Sequence, residues 1–197
     1  MTWNDYLDYT HAILSNPAPA EPYNNAEYLE YTKMNEARMK RWLRTEPILK
    51  ETKDVIAAIA TPQNWVLITE PWCGDAAHIT PIIYLMSQLN PNIHLNIQLR
   101  DTDSEIDNYL TNGTKSIPVV IVRDAQGSDL FHWSSRPAAA QQIWSDLKAQ
   151  GTPVEEIKLA IQKFYNEDKA VCIQQELLSL LKKNFNSADL IPSLKYD

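Results

Sequence analysis

The sequence predicts an α/β fold: a central mixed β-sheet flanked by helices, with a helical extension at each end. Three observations carry this. Short β-rich runs alternate with helical periodicities through the middle of the 197-residue chain, the pattern of a β-α-β unit with a mainly parallel sheet. A hairpin signal near residue 126 adds an antiparallel edge. Before residue 62 and after residue 150 the periodicity is helical with no strand signal. The expected division is therefore 1–61, 62–150 and 151–197.

The elements can be justified in order. A short aromatic segment ends at Pro17-Ala18-Pro19-Ala20-Glu21-Pro22. From Asn25 to Thr45, Tyr28, Leu29, Tyr31, Met34, Ala37, Met39, Trp42 and Leu43 recur at three- and four-residue steps, which predicts a helix with one buried stripe. Arg38, Lys40, Arg41 and Arg44 on the same helix read as a solvated face. Pro47 can open a second helix over 48–60, because proline is tolerated in a first turn. Trp65-Val66-Leu67-Ile68-Thr69 reads as a strand covered on both faces. A helical stretch over 76–89, interrupted by Pro81, follows, then a strand over 93–99 and a short helix over 104–110. Ile117 to Val122 is the third strand, Asp124-Ala125-Gln126-Gly127 a tight turn, and 129–133 the fourth strand. A helix over 137–149 ends at Gly151. The C-terminal region is helical, with a division near Asn166-Glu167-Asp168, and residues 186–197 read as a tail.

Composition narrows the function classes. With 25 acidic against 18 basic side chains the net charge is −7, which argues against general nucleic-acid binding. No apolar run approaches the ~18 residues a membrane span needs, so no membrane role is expected. The N-terminus lacks a charged-then-apolar leader pattern. A cytoplasmic setting is therefore expected, with Cys73 and Cys172 as reduced thiols. The four histidines are scattered and two distant cysteines cannot make a zinc quartet, so no metal is expected. No Gly-rich phosphate loop is present. The four glycines are few for this length, so each is expected where the backbone demands one.

Chemistry concentrates at Trp72-Cys73-Gly74-Asp75-Ala76, a strand–cysteine–helix junction. A helix N-terminus presents unpaired N–H groups and the positive end of its dipole. A thiol there is expected to ionise more readily than a free cysteine. Gly74 lets the backbone turn closely, Trp72 shields one side of the sulfur, and Asp75 sits in the helix's first turn, where its charge opposes thiol ionisation. Glu70 also flanks the site. His78 lies five residues on; a Cys73–His78 pair with Asp75 as orienter would suggest a hydrolase. Arg136 is a candidate contact for an anionic thiol ligand, although it reads first as part of a helix start. Cys172, between Val171 and Ile173, reads as a small buried core residue.

These residues resemble the active-site loop of thioredoxins: Trp-Cys-Gly after a strand, Pro81 eight residues beyond Cys73, and Ile117-Pro118 before the third strand. The resemblance spans roughly 62–150. At closer range the chain is similar to a bacterial thioredoxin-like group that carries Trp-Cys-Gly-Asp-Ala with helical extensions on both sides. The resemblance implies a cis peptide at Pro118, beside the sulfur, with Ile117 and Pro118 presenting backbone to a substrate chain. It also shows what is missing. Ala76 stands where the resolving cysteine belongs, and Leu67 stands where thioredoxins place a buried aspartate. The implied function is a thiol–disulfide oxidoreductase without its resolving cysteine, exchanging through a mixed disulfide on Cys73. Its partner would be a disulfide-containing protein or a low-molecular-weight thiol as co-substrate, with no other cofactor. The alternative is a non-catalytic thioredoxin-fold binding or scaffold protein, or a redox sensor.

Overall fold

In the computed structural model, which describes residues 1–184, seven helices surround a four-stranded mixed sheet. In chain order the elements are α1 (Trp3–Ser15), α2 (Ala26–Thr45), α3 (Lys50–Ala57), β1 (Gln63–Thr69), α4 (Ala76–Ser87), β2 (Ile93–Leu99), β3 (Val119–Arg123), β4 (Asp129–Ser134), α5 (Ala138–Ala149), α6 (Val154–Asp168) and α7 (Val171–Asn184). The α/β fold expected from the alternation is present. The tail expected over 186–197 lies outside the described residues.

The strand order is β2-β1-β3-β4. Only β1 and β2 are parallel; β1 with β3 and β3 with β4 are antiparallel, which corrects the mainly parallel sheet expected. The reason is the segment between β2 and β3. A parallel return needs a crossover, usually a full helix, but this segment holds one 3-10 turn, Ile106–Asn108, in place of the helix expected over 104–110. The chain stays at the end of the sheet where β1 finishes, so Val119 pairs with Ile68 and β3 runs back.

Strand alternation divides the core. Trp65, Leu67, Val120 and Val122 face the larger cluster, with Tyr6, Met39, Trp42, Ile79 and Ile83 from the helices. Val66, Ile68, Val119 and Ile121 face a smaller one that includes Cys73, Ala76, Ile106, Tyr109 and Ile117. The candidate site thus grows out of the smaller core.

Helix ends follow local chemistry. Thr2 and Asp5 make a reciprocal capping box at α1, and Asn25 caps α2 through Glu27 N–H. Pro47 does not open α3, which starts at Lys50 with Leu49 before it. The α6–α7 break falls at Lys169 and Ala170, both with positive φ, just beyond the expected division.

The buried stripe of α2 is not the one its apolar residues predict. Thr32, Asn35, Met39 and Trp42 are buried, whereas Met34 and Tyr28 are exposed. Two polar residues are interior with their hydrogen bonds made: Thr32 Oγ1 donates to the Tyr28 carbonyl, and Asn35 reaches the site loop.

Candidate active site around Cys73

The loop from Glu70 to Asp75 joins β1 to α4. Cys73 N–H donates to the Glu70 carbonyl at 3.1 Å, and Ala77 N–H donates to the Cys73 carbonyl at 3.1 Å, so the loop turns directly into the helix. The Ile117–Pro118 peptide is cis and stands against the sulfur, with Cys73 Sγ donating to the Ile117 carbonyl at 3.5 Å. Ile117 and Pro118 are therefore beside Cys73, as the resemblance implies. Ala76, at the resolving position, is buried in the same apolar cluster. Gly74 departs from expectation: its φ is not left-handed and a Cβ there would meet nothing within 4 Å. The loop turns without needing a glycine at that place.

The thiol is not activated. Cys73 is 8% exposed, and burial pushes its pKa up to about 12, with the Asp75 carboxylate acting in the same direction. The Ala76 and Asp75 backbone amides and the Arg136 guanidinium pull it down but do not win. The helix start does pull the thiol pKa down, as expected, and removal of water from the thiolate outweighs it.

Asp75 does not cap α4, although it occupies the N-cap position. Its carboxylate turns instead to two residues far along the chain. Arg136 Nε and Nη2 both reach Asp75 Oδ2 at 2.8 Å, and Tyr165 Oη donates to Oδ1 at 2.7 Å. Arg136 also lies over the Trp144 ring, 4.2 Å from its centroid. Arg136, the candidate contact for an anionic thiol ligand, is paired instead with a carboxylate of the chain itself.

The N-terminal helices hold the loop from the other side. Asn35 Nδ2 donates to the Pro71 carbonyl at 2.9 Å, a buried contact. Tyr28 packs edge-on against Trp72, and Arg100 lies over the other part of that indole at 4.6 Å. Tyr23 Oη donates to Glu70 Oε2 and Asp101 N–H to Glu70 Oε1. Glu70 is buried, and this desolvation raises its pKa.

His78 is a strut and not a base. Trp42 Nε1 donates to its Nδ1 at 3.0 Å, so its Nε2–H is the donor to Gln162 Oε1 at 3.0 Å. The ring stacks on Tyr165 at 4.4 Å. Burial lowers its pKa to about 3. Both ring nitrogens are engaged away from Cys73, which removes the Cys–His hydrolase reading.

Two recesses meet at the loop. One, of about 320 Å³, is lined by Tyr28, Tyr31 and Arg38 of α2, the Trp72–Asp75 loop, and residues of α5 and α6. The other, of about 360 Å³, is lined by Arg100, Thr114, Lys115, Ser116, Ile117 and Ser135 together with Trp72, Cys73, Asp75 and Arg136. Cys73 borders both.

A family model described as thioredoxin matches residues 22–148. The chain belongs to the thioredoxin family. The match begins before α2, so it takes in the two helices that precede β1 as well as the sheet. Among solved structures, the chain resembles a Pseudomonas aeruginosa protein of unknown function, PA1234, with TM-score 0.58 and 14% identity over 94% of this chain and 99% of that one. It also resembles an HIV epitope scaffold, with TM-score 0.49 and 18% identity over 87% of this chain and 99% of that one. An alkylhydroperoxide reductase component of Enterococcus faecalis aligns over 50% of this chain and 47% of its own, with 16% identity and TM-score 0.38. No protein of curated function matches the sequence. The likeness to PA1234 supports the thioredoxin fold and no specific chemistry.

Within this thioredoxin fold, several expected candidates lie apart from the sulfur. Cys172 is half-buried on α7, not a core residue; Ile173 beside it takes the interior position. Burial and the neighbouring Asp168 raise its pKa to about 12. His11, His94 and His132 line neither recess. Sequence reasoning missed Asn35, Arg38 and Tyr165. Asn35 stands three and seven residues from Thr32 and Trp42, on the stripe that α2 buries, but apolar periodicity favours Met34 in its place. Arg38 and Arg41 were expected on a solvated face but are half-buried, Arg41 bonding Asn166 across to α6 and Arg38 lining the smaller recess. Tyr165 had no sequence signal, because its partner is 90 residues away. Among the described residues no helix is long and apolar enough to cross a membrane.

Proposed function

We propose that this thioredoxin-family protein carries out slow, single-cysteine thiol–disulfide exchange with small molecules. The observation that carries this reading is the position of Cys73, a residue 8% exposed that borders two recesses of small-molecule size. Cys73 loses its proton to water or buffer and its sulfur attacks one sulfur of a small disulfide. A new S–S bond forms as the old one breaks, and the departing thiolate takes up a proton. Cys73 is oxidised to the mixed disulfide and the departing half is reduced. Since Ala76 supplies no second thiol, an external low-molecular-weight thiol attacks the mixed disulfide and restores Cys73.

Two features favour a small substrate over a protein chain. The Ile117 carbonyl, which the family resemblance would offer to a substrate backbone, is already the acceptor for the Cys73 thiol. The loop is also overlaid by Tyr28 and tied to α2 through Asn35. With the thiol pKa pushed up by burial, little of it is thiolate at pH 7, so exchange is slow and base-dependent.

The test is intact-mass analysis of the native protein, with Cys172→Ala as background, after incubation with a panel of small disulfides. A stoichiometric adduct on Cys73, reversed by a small thiol and faster at higher pH, supports the reading. No adduct on native protein, with ready reaction of the denatured chain, overturns it. A second reading is then preferred, ligand binding without chemistry, and the raised thiol pKa is the observation that favours it.

A further inference from the structure

The recess beside Cys73 that the helices enclose has an unequal charge balance. Three cations line it: Arg38, Arg136 and Lys158. Arg136 is neutralised by Asp75 at 2.8 Å. Lys158 has Glu155 at 2.7 Å and Glu27 at 3.7 Å. Arg38 has no carboxylate within ion-pair distance among the described residues; its one hydrogen bond is Nη1 to the neutral Asn35 Oδ1, at 2.8 Å. Arg38 is half-buried, burial lowers its pKa, and its guanidinium has further N–H groups with no protein partner among the described residues. A partly desolvated guanidinium without a counter-charge is an unfavourable arrangement that an anion relieves.

The rest of the wall fits a compact organic molecule. Tyr28, Tyr31, Trp72, Trp144 and Ile161 supply aromatic and apolar surface. Trp72 Nε1 is buried with no acceptor among the described residues, a second donor without its bond. Cys73 lines the recess as well.

We infer that this recess binds a small disulfide with an anionic tail, the tail held by Arg38 and the disulfide set against Cys73. The carboxylate of a peptide-like thiol and the phosphate of a nucleotide-like one would serve Arg38 alike. The inference rests on the proposed exchange for its covalent step, which is the one already balanced: Cys73 gains the S–S bond and the departing half leaves as a thiol. The anion site itself needs no chemistry. Arg38 is here a specificity-determining residue and touches no reacting atom.

The experiment separates the two. Cys73 adduct rates are measured with dithiodipropionate (dianionic), hydroxyethyl disulfide (neutral) and cystamine (dicationic), each divided by its rate with a free thiol. A preference for the dianion of about tenfold or more over the neutral compound is expected, shrinking at high salt. Arg38→Gln abolishes it, and Arg38→Lys keeps part of it. In parallel, Cys73→Ser protein that also carries Cys172→Ala, and so has no thiol left to react, is heated with dithiodipropionate or with inorganic phosphate. A rise in Tm that Arg38→Gln removes supports the anion site, and the two probes show which anion it prefers. No charge preference in the wild-type rates overturns the inference while leaving the exchange standing. A preference unchanged in Arg38→Gln also overturns it. If no disulfide reacts but the Cys73→Ser protein still gains Tm through Arg38, the exchange fails and the anion site survives.

Discussion

The two sides of the Cys73 sulfur are built from different materials. On one side Arg38, Tyr28, Tyr165 and Gln162, all from helices flanking the sheet, make a recess with aromatic walls in which Arg38 alone among the cations lacks a carboxylate partner among the described residues. On the other, Arg100, Thr114 and Lys115 come from the connection between β2 and β3; Thr114 and Lys115 are exposed and Arg100 is half-buried. The first side is held by buried, mutually dependent bonds. The second consists of loops whose polar groups have water as an alternative partner. In such an arrangement substitutions on the first side cost stability and alter the thiol together, while those on the second change little.

The largest break in that contrast is expected from His78, through pH. Its folded pKa, about 3, lies well below the ordinary 6.5. Between these values the unfolded chain binds a proton that the folded one refuses. Stability therefore falls as pH drops through 6.5 and continues to fall toward 3, by a few kcal/mol in total. Glu70, whose carboxyl is raised by burial, opposes this just above its ordinary 4.5. Urea denaturation at pH 7 and pH 5 should show the loss, and His78→Gln should flatten it.

Asp75→Asn is next. It leaves the Arg136 guanidinium without its carboxylate, at a cost of about 3 kcal/mol, read from the denaturation midpoint. The same change removes the negative charge that raises the thiol and frees the positive one that lowers it. Cys73 alkylation at pH 8 should accelerate by about tenfold, one pKa unit. A less stable protein with an unchanged alkylation rate after correction for unfolding would show that Asp75 does not act on the sulfur.

Asn35→Leu strips the Pro71 carbonyl of its buried donor and should cost about 1–3 kcal/mol. It should also loosen the loop, so that hydrogen exchange quickens at Trp72 and Cys73 more than in β3. The smallest effect is expected on the open side. Lys115→Gln removes an exposed pair with Asp107 and should shift stability by no more than about 0.5 kcal/mol. It should leave the charge preference of Cys73 adduct formation untouched. A loss of that preference in Lys115→Gln would reverse the assignment of the two sides.

How far these features were legible depends on the range of the interaction. The strand at 93–99, the helix starting at Ala76 and the β3–β4 turn were readable because period-2 and period-3.6 patterns and turn residues act within a few positions. The site loop was readable too: Trp72, Cys73, Asp75 and Ala76 are contiguous, and Ile117-Pro118 is a local signal. The direction of β3 was not, because it depends on where the chain crosses the sheet and not on the residues of the strand itself. The buried stripe of α2 was misassigned for a related reason. Apolar periodicity ranks Met34 above Asn35, yet Asn35 is interior because the Pro71 carbonyl needs a donor.

By itself, then, the sequence determined the α/β class, the placing of one cysteine at a strand–helix junction and the absence of its resolving partner at Ala76. Tertiary structure alone decided the state of that cysteine. A helix N-terminus favours the thiolate, and that is a local effect legible from a few consecutive residues. Burial and the Asp75 charge oppose it. The Asp75 effect is itself local, two residues along, but burial is the larger of the two and depends on residues brought from far along the chain, with α2 tied over the loop through Asn35. Desolvation is a property of everything that surrounds a group, and no short stretch of sequence contains its surroundings.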